Sequence, residues 1–233
     1  MKVPFQDLSA AYLELKPGID EALSRVLASG WYIGGPEVER FEADFAGFCG
    51  VDHCVGTGNG FDALHLALRA FDIGPGDEVV LASNSYAATV LAVSAVGATP
   101  VFVEPEPESC NLDPARIEPA LTPRTRALLP THLYGLPADL DPMIELADRH
   151  GLVVIEDAAQ AHGAAYRGRR LGGHGHAVAW SFYPTKNLGA LGDAGALTTN
   201  DSTVAERLRR LRNYGSSRRY FSEEKGVNSR LDP

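Results

Sequence analysis

Short apolar runs alternate with helix-like patterns along the chain from about residue 50 to residue 200. Apolar runs of this length, bounded by turn-forming residues, are typical of buried strands. A parallel neighbour strand can be reached only through a crossover connection, so strands that alternate with helices form βαβ units. The sequence therefore predicts an α/β fold whose largely parallel sheet is covered by helices on both faces.

The individual elements follow from the same patterns and from their glycine and proline boundaries. Two N-terminal helices are predicted, one from after Pro17-Gly18 to near Gly30, the other from Pro36 to near Gly50. Later helices are predicted over residues 61–70, 87–96, 140–150 and 204–213. Strands are predicted over residues 53–55, 78–82, 100–103, 127–131, 152–155, 178–183 and 195–199. Ligands on such sheets bind at the carboxyl ends of the strands, where a site is therefore expected.

Bulk composition excludes several classes of protein. Of the 233 residues, 45% are hydrophobic and 22% charged, as in ordinary soluble globular proteins. The longest apolar run, residues 87–98, is too short to span a bilayer, and no apolar signal segment opens the chain, so no membrane is expected. The net charge of −9 disfavours nucleic acid as a partner. Cys49, Cys54 and Cys110 form neither an even set nor a metal-ligand pattern, which predicts a reduced cytoplasmic protein.

Arginines crowd the end of the chain. They are Arg207, Arg209, Arg210, Arg212, Arg218 and Arg219. Two interpretations remain open, a solvated helix face and a clamp for a phosphate-bearing small molecule.

The segment Gly56-Thr-Gly-Asn-Gly60 follows a predicted strand and opens a predicted helix. Glycines let backbone N–H groups converge on an anion, and the helix N-terminus adds its positive end, so a phosphate cradle is expected. A dinucleotide loop is disfavoured because its Gly-x-Gly-x-x-Gly spacing is absent. A merely tight strand-to-helix turn is the remaining alternative.

Lys186 and Asp157 are the two titratable residues that best suit chemistry. Lys186 sits in the apolar, glycine-flanked stretch from Ala179 to Gly195, where loss of hydration makes an amine a better nucleophile. Asp157 ends an apolar strand. With a phosphate cradle, the pair suits pyridoxal 5′-phosphate (PLP), which needs a Schiff-base lysine and an acid beside its ring nitrogen. The alternatives are a solvated turn lysine and a helix-capping aspartate.

Three other residues have competing interpretations. Tyr86 follows a predicted strand and suits either stacking on the cofactor ring or a core or rim position. His174-Gly-His176 lacks further ligands at metal spacing, so a glycine-rich turn is expected and no metal site is predicted. His132 ends a predicted strand, and a buried, hydrogen-bonded ring is expected in preference to a place in the site.

Several segments together resemble the DegT/StrS family of PLP-dependent nucleotide-sugar aminotransferases. They are Ser29-Gly-Trp-Tyr-Ile-Gly-Gly-Pro-Glu-Val-Glu39, Glu156-Asp-Ala-Ala-Gln-Ala-His-Gly-Ala164, Ser181-Phe-Tyr-Pro-Thr-Lys-Asn-Leu-Gly-Ala-Leu-Gly-Asp-Ala-Gly195 and Gly226-Val-Asn-Ser-Arg-Leu-Asp232. The resemblance covers nearly the whole chain and implies the large domain of a type I aminotransferase, with a mixed, mainly parallel sheet. It suggests an N-terminal helical segment over 1–50, a PLP-binding domain over 51–215 and the start of a truncated C-terminal region over 216–233.

The resemblance also implies roles for individual residues. Lys186 would bond to the cofactor aldehyde, and Asp157 would pair with the pyridine nitrogen. The other cofactor contacts implied are Gly60, Phe61, Tyr86, Gln160, Ser181 and Asn228, the last lent across a homodimer interface. Phe61 stands where many relatives have threonine, so backbone amides replace a hydroxyl there. Tyr183, Tyr32 and His162 are implied substrate contacts.

The motif around Lys186 resembles most the enzymes that aminate C3 of dTDP-3-keto-6-deoxyhexoses in deoxyaminosugar and antibiotic biosynthesis. Glutamate is the implied amino donor. Family members usually continue past the Asn-Ser-Arg-Leu-Asp motif into a small closing domain, so a truncated chain of weak activity is expected. The alternatives are a non-catalytic PLP-binding or regulatory protein and a PLP-dependent sugar dehydratase. Lys186 argues against the dehydratase, because those relatives carry histidine there.

Overall fold

A computed structural model of the protein describes residues 3–218 and 220–233. Arg219, one of the clustered arginines, lies outside the described residues. Within them, a central sheet of seven strands has the order β1-β9-β8-β5-β4-β2-β3. The strands are β1 His53–Thr57, β2 Glu78–Ala82, β3 Thr99–Val103, β4 Thr125–Leu129, β5 Val153–Asp157, β6 Ala165–Tyr166, β7 Arg169–Arg170, β8 Ala177–Ser181, β9 Gly195–Thr199, β10 Ser216–Arg218 and β11 Phe221–Ser222. The β6–β7 and β10–β11 pairs form separate ribbons.

Strand direction confirms the expected mixed, mainly parallel sheet. β9 runs antiparallel to both of its neighbours, β1 and β8. Every other pair of neighbours in the described sheet is parallel. Consequently β5, β8, β4 and β2 point their carboxyl ends the same way, and side chains that end these strands meet at one edge.

Helices cover both faces of the sheet. They are α1 Leu8–Ser29, α2 Pro36–Cys49, α3 Gly60–Ala70, α4 Ala87–Ala95, α5 Pro114–Ile117, α6 Leu140–His150 and α7 Ser202–Leu211. Val79 and Leu81 of β2 pack in one apolar core with α3, α4 and α7, whereas Val80 packs in another with α6. This division follows from strand geometry, because successive side chains point to opposite faces.

Several predicted boundaries differ from the structure by one or two residues, as in β1, β5, β8 and α7, and the first helix differs by more. The first helix begins at Leu8, with Pro17 inside it, instead of starting after Pro17-Gly18. An internal proline removes one backbone hydrogen bond, and the exposed α1 leaves water free to satisfy the freed carbonyl. The fourth strand runs from Thr125 to Leu129 instead of from 127 to 131, and Thr131 keeps only an isolated bridge to Asp157. None of the described helices is long and apolar enough to cross a membrane.

Candidate active site

A cavity of about 440 Å³ opens at the carboxyl ends of β5 and β8. It is bounded by the N-termini of α3 and α4, the loop after β4 and the loop between β8 and β9. The residues that line it are Asn59, Gly60, Phe61, Leu64, Tyr86, Ala88, Thr89, Thr131, Leu133, Asp157, Ala159, Gln160, Ala179, Trp180, Ser181, Tyr183, Thr185, Lys186 and Asp193. Eight of the predicted site residues therefore meet here, although they are spread over more than a hundred positions of sequence. They are Gly60, Phe61, Tyr86, Asp157, Gln160, Ser181, Tyr183 and Lys186.

A larger cavity of about 610 Å³ lies against α2 and is mostly apolar. Phe41, Phe45, Phe48 and Leu188 contribute to its wall. None of the predicted site residues lines it, and it contains neither a lysine nor a histidine. The smaller cavity is therefore the better candidate for chemistry.

Asp157 is held rigidly at the end of β5. Its side chain is buried, and its Oδ2 accepts a hydrogen bond of 2.7 Å from the Thr89 hydroxyl. Its Oδ1 accepts one of 3.1 Å from the Ala159 backbone N–H. The chain turns after Asp157 without forming a helix, so the helix-cap interpretation is wrong. Two donors from separate segments fix the orientation of this carboxylate.

The N-terminus of α3 forms the other end of the cavity. Asn59 caps the helix, its Oδ1 accepting from the Asp62 N–H at 2.8 Å, and the first N–H groups of any helix lack partners within it. A Cβ on Gly60 would lie 2.6 Å from the Ser181 Cβ, so only glycine fits this approach. Gly58 donates its N–H to the Ser229 hydroxyl at 3.0 Å. The amides at Gly60 and the hydroxyl of Ser181 thus stand together where an anion would bind.

Lys186 lies on the loop between β8 and β9, and its half-buried side chain lines the cavity that Asp157 closes. Its backbone N–H donates to the Tyr183 carbonyl at 2.8 Å, which closes a turn. The residue therefore lies in a turn, but its side chain is half-buried and forms part of the cavity wall, unlike that of the fully solvated turn lysine in the alternative.

The remaining lining residues differ in how firmly they are held. Gln160 accepts a hydrogen bond of 2.7 Å from the Tyr134 N–H through Oε1, which orients its amide. Tyr86 is 72% exposed and Tyr183 51% exposed, so both form the rim of the cavity and not its floor. An exposed Tyr86 excludes the core-aromatic alternative.

Three predicted residues lie away from the cavity in this chain. Tyr32 is exposed beside the end of α1, with its hydroxyl 3.4 Å from the Leu27 carbonyl. His162 packs among aromatic rings and contacts Asn187. Asn228 is exposed and forms an isolated bridge with Asn213. Their roles toward cofactor or substrate stay predictions.

Thr89, which is fully buried and bonded to Asp157, was not among the predicted site residues. Thr131, Leu133 and Asp193 of the lining were not predicted either. Threonine is common in buried helices, and nothing near Thr89 in sequence indicates a partner 68 residues away. The one signal available is that Thr89 lies three residues after Tyr86, in the first turn of α4.

His132 and His176 are held by hydrogen bonds away from the cavity. His132 is fully buried, its Nε2 is 2.9 Å from Glu156 Oε2, and its Nδ1 accepts from the Ala138 N–H at 3.0 Å, as the buried interpretation predicted. His176 Nδ1 accepts from the Val154 N–H at 3.1 Å. No group of three metal-ligating side chains occurs among the described residues.

Three members of the arginine cluster, Arg207, Arg210 and Arg212, form ion pairs, an outcome that neither interpretation included. Arg207 bonds to Asp72 at 2.6 Å and to Glu224 at 3.4 Å. Arg212 Nη1 lies 2.5 Å from Glu42 Oε1 and donates to the Gly56 carbonyl at 2.6 Å. These two arginines thus tie the end of the described chain to α2, β1 and the turn after α3.

Comparison with known proteins gives a consistent result. A model of the DegT/DnrJ/EryC1/StrS aminotransferase family matches residues 14–233. The chain is 62% identical over 231 residues to a Streptomyces venezuelae protein named dTDP-3-amino-3,4,6-trideoxy-alpha-D-glucose transaminase, covering 99% of this chain and 61% of that one. It is 60% identical over 232 residues to the erythromycin biosynthesis sensory transduction protein EryC1 of Saccharopolyspora erythraea, covering 100% of this chain and 63% of that one.

Solved structures agree with the sequence relatives. The crystal structure of S. venezuelae DesV in complex with a ketimine intermediate superposes with a TM-score of 0.97 at 62% identity, over 99% of this chain and 62% of that chain. The chain thus spans about three fifths of the length of the relatives it matches.

Proposed function

Because the chain belongs to the DegT/DnrJ/EryC1/StrS aminotransferase family, we propose that it is the cofactor-binding part of a PLP-dependent aminotransferase acting on dTDP-linked 3-keto-6-deoxyhexoses. The observation that carries the proposal is the shared cavity of Lys186 and Asp157, with the N-terminus of α3 at its other end. The name of the S. venezuelae relative supports the sugar class. Glutamate is the amino donor that the family resemblance implies.

The cavity fits PLP in size and in chemistry. Its 440 Å³ lies within the range of small-molecule sites. The Oγ1 of Thr131 is buried there without a partner among the described residues, which is unusual for a polar atom unless a ligand satisfies it. Tyr86 offers an aromatic face at the rim, and the absence of a side chain on Gly60 lets the N-terminus of α3 lie close to Ser181, which suits a shared phosphate contact.

When bound, PLP supplies an electron-withdrawing ring that stabilises negative charge developing on a substrate carbon. Asp157 would hold the proton on the ring nitrogen, since its carboxylate is fixed by Thr89 and Ala159. The amides at Gly60 and Phe61 and the Ser181 hydroxyl would bind the phosphate. Lys186 would bond to the cofactor through Nζ and, once released, move a proton to and from the reacting carbon as general base.

Two alternatives are less well supported. A sugar dehydratase of this family would carry histidine at position 186, where this chain has lysine. A regulatory protein is suggested by the name of the S. erythraea relative, yet this chain keeps both the lysine and the buried acid of a catalytic site. Turnover of a keto sugar distinguishes an enzyme from a binding protein.

The first experiment identifies the lysine that binds the cofactor. The chain is incubated with PLP, reduced with borohydride and mapped by peptide mass spectrometry. We expect the adduct at Lys186, and a Lys186→Ala chain should lose it. Lys225, which is exposed, is the internal control. Labelling at Lys225 or Lys16 in place of Lys186 would sink the assignment.

The second experiment concerns the acid. Asp157→Asn should lower the transamination rate by roughly 10²- to 10³-fold, because the amide removes a charge that stabilises the reacting state. PLP binding should change much less, since the phosphate and lysine contacts remain. Asp148→Asn, on the exposed side of α6, is the matched control. Wild-type turnover in Asp157→Asn would show that the acid is only structural.

We also propose that the working form is a cytoplasmic homodimer with shared sites. The unpaired cysteines suit a reducing compartment. Apolar residues of α1, including Leu13 and Leu27, are more than 60% exposed, which suits burial against a second copy. Exposed Asn228 is free to reach a neighbouring phosphate, so mixing Asn228→Ala and Lys186→Ala chains should restore activity in part. Stable heterodimers without complementation would argue for self-contained sites.

A further inference from the structure

His162 lies outside the cavity, under the loop that carries Lys186. Its half-buried ring packs against Phe45, Trp180 and Phe182, with ring centroids 6.5, 5.3 and 5.1 Å away. Trp180 and Phe182 are almost fully buried, and Phe45 belongs to α2. Aromatic neighbours from three segments leave the imidazole little freedom to rotate.

His162 and Asn187 are joined by two hydrogen bonds. Asn187 Nδ2 donates to the His162 carbonyl at 3.0 Å, and Asn187 Oδ1 lies 2.8 Å from His162 Nδ1. The carbonyl can only accept, so it fixes which way the amide points. Asn187 Oδ1 then faces the ring, and His162 Nδ1 must carry the proton that it donates.

The electrostatic setting agrees with this assignment. Burial is the main cause that lowers the pKa of His162 below its ordinary value. The hydrogen bond to Asn187 raises the pKa, and the positive charge of Lys186 lowers it further. The ring is therefore neutral near pH 7 and donates from one nitrogen.

The loop between β8 and β9 has few other anchors. Its backbone hydrogen bonds, Lys186 to Tyr183, Phe182 to Ala194 and Ala190 to Phe182, stay within the loop itself. Among the described residues, residues 183–193 are joined to a distant segment of the chain by the two hydrogen bonds between Asn187 and His162. Asn187 directly follows Lys186, so a shift of Asn187 moves the lysine as well.

We propose that His162 is a positioning residue for Lys186, and that it acts through Asn187 to place the lysine amine in the cavity. This inference rests on the proposed function, because it takes Lys186 as the residue that bonds to PLP. It gives His162 a task that does not require contact with the substrate, in line with its position outside the cavity lining.

Two substitutions separate the hydrogen bond from the packing. His162→Phe keeps a ring in the aromatic cluster and removes the donor. His162→Asn removes the ring but places its Nδ2 where the Nδ1 of histidine stood. Asn187→Ala breaks the same pair from an exposed position and leaves the cluster intact. His150→Phe, at the exposed end of α6, is the control.

Two readouts are measured for each variant. Amide hydrogen exchange of residues 183–193 in the cofactor-free chain reports how firmly the loop is held. Absorbance titration with PLP, with borohydride mapping, reports the equilibrium for adduct formation at Lys186. Loss of one hydrogen bond in His162→Phe should change both readouts by roughly threefold to tenfold, and loss of both bonds in Asn187→Ala should change them at least as much. His162→Asn should recover most of the change, and His150→Phe should show none.

The outcomes are distinguishable. Wild-type behaviour of His162→Phe in both readouts would overturn the inference and leave the proposed function standing. Equal losses in His162→Phe and His162→Asn would show that a hydrogen-bond donor at this position does not restore the loop, and would overturn the inference too. A wild-type chain that forms no adduct at Lys186 would defeat the proposed function, while loop exchange still tests the anchor. If His162→Phe does not fold, Asn187→Ala decides.

Discussion

Helices α1 and α3 differ in what stabilises them. α3 has 11 residues, of which six are buried, and its N-terminus forms one end of the cavity. α1 has 22 residues, and the described structure buries none of them. Most helix stability in proteins comes from packing of an apolar face, so α3 is stabilised by its own chain, whereas α1 depends on local pairs such as Lys16–Asp20. Length and pattern alone do not reveal this difference.

The difference between α3 and α1 predicts that two leucine substitutions change the free energy of unfolding by very different amounts. Leu66 of α3 is fully buried, so Leu66→Ala should lower the free energy of unfolding by about 2–5 kcal/mol. Leu13 of α1 is 64% exposed, and Leu13→Ala should change it by no more than about 0.5 kcal/mol. Urea unfolding at low protein concentration measures both. Similar losses would mean that α1 is packed after all, for example against a second copy.

Gly60 should be the next most sensitive position. Gly60→Ala places a Cβ 2.6 Å from the Ser181 Cβ, so α3 or β8 must shift, at a cost of about 1–3 kcal/mol. The same shift disturbs the amides proposed for the phosphate, so PLP affinity should fall as well. Gly47→Ala in α2, where a Cβ would meet nothing within 4 Å, is the matched control. Unchanged PLP affinity in Gly60→Ala would remove this helix end from the cofactor site.

A glycine in α1 should behave in the opposite way. A Cβ on Gly18 would meet nothing within 4 Å, and alanine favours a helix over glycine by about 1 kcal/mol. Gly18→Ala should therefore slow amide exchange in α1 and leave global unfolding nearly unchanged. A loss of helicity in α1, or dissociation of a dimer, in the Gly18→Ala chain would show that Gly18 lies in a contact surface that has no room for a methyl group.

The smallest predicted effect is a difference in pH response. Burial, assisted by the charge of Arg69, lowers the pKa of His65 in α3. The unfolded chain then binds more protons than the folded one, so stability falls as the pH drops below about 6.5. His65→Gln should reduce that fall between pH 7.5 and pH 5.5, measured by urea unfolding at each pH. An unchanged fall would assign it to other buried histidines.

α1 should respond in another pH range. The hydrogen bond from Lys16 lowers the pKa of Asp20. The contribution of this pair to the stability of α1 is therefore lost only as the pH falls below about 4. Helix content of α1 followed by exchange should hence stay constant across the range in which α3 loses stability.

Much of the fold could be predicted because its signals are local. Strands such as Glu78–Ala82 and the helix after Asn59 are determined by apolar runs and caps within a few residues. The start of the first helix was predicted wrongly because proline usually marks the start of a helix. Pro17 instead lies inside α1, where exposure to water makes an internal proline tolerable.

The site residues also divide into those that a local sequence pattern indicates and those that it does not. Asp157 and Lys186 were recognisable because each sits in an apolar context that ordinary surface residues lack. The partner of Asp157, Thr89, was not, since a hydrogen bond across 68 residues leaves no local pattern. The contact of His162 with Asn187 escaped prediction for that reason too.

The turn that precedes α3 is closed by residues from far along the chain. Gly58 is bonded to Ser229, 171 residues later, and the Gly56 carbonyl is bonded to Arg212. Contacts so distant in sequence form slowly, because a long loop must close before they contribute. During synthesis, the proposed phosphate cradle therefore lacks the hydrogen bond from Gly58 to Ser229 until Ser229 has left the ribosome. The turn is therefore among the last parts of the chain to gain all of its contacts, although the strand and the helix that it joins are made early.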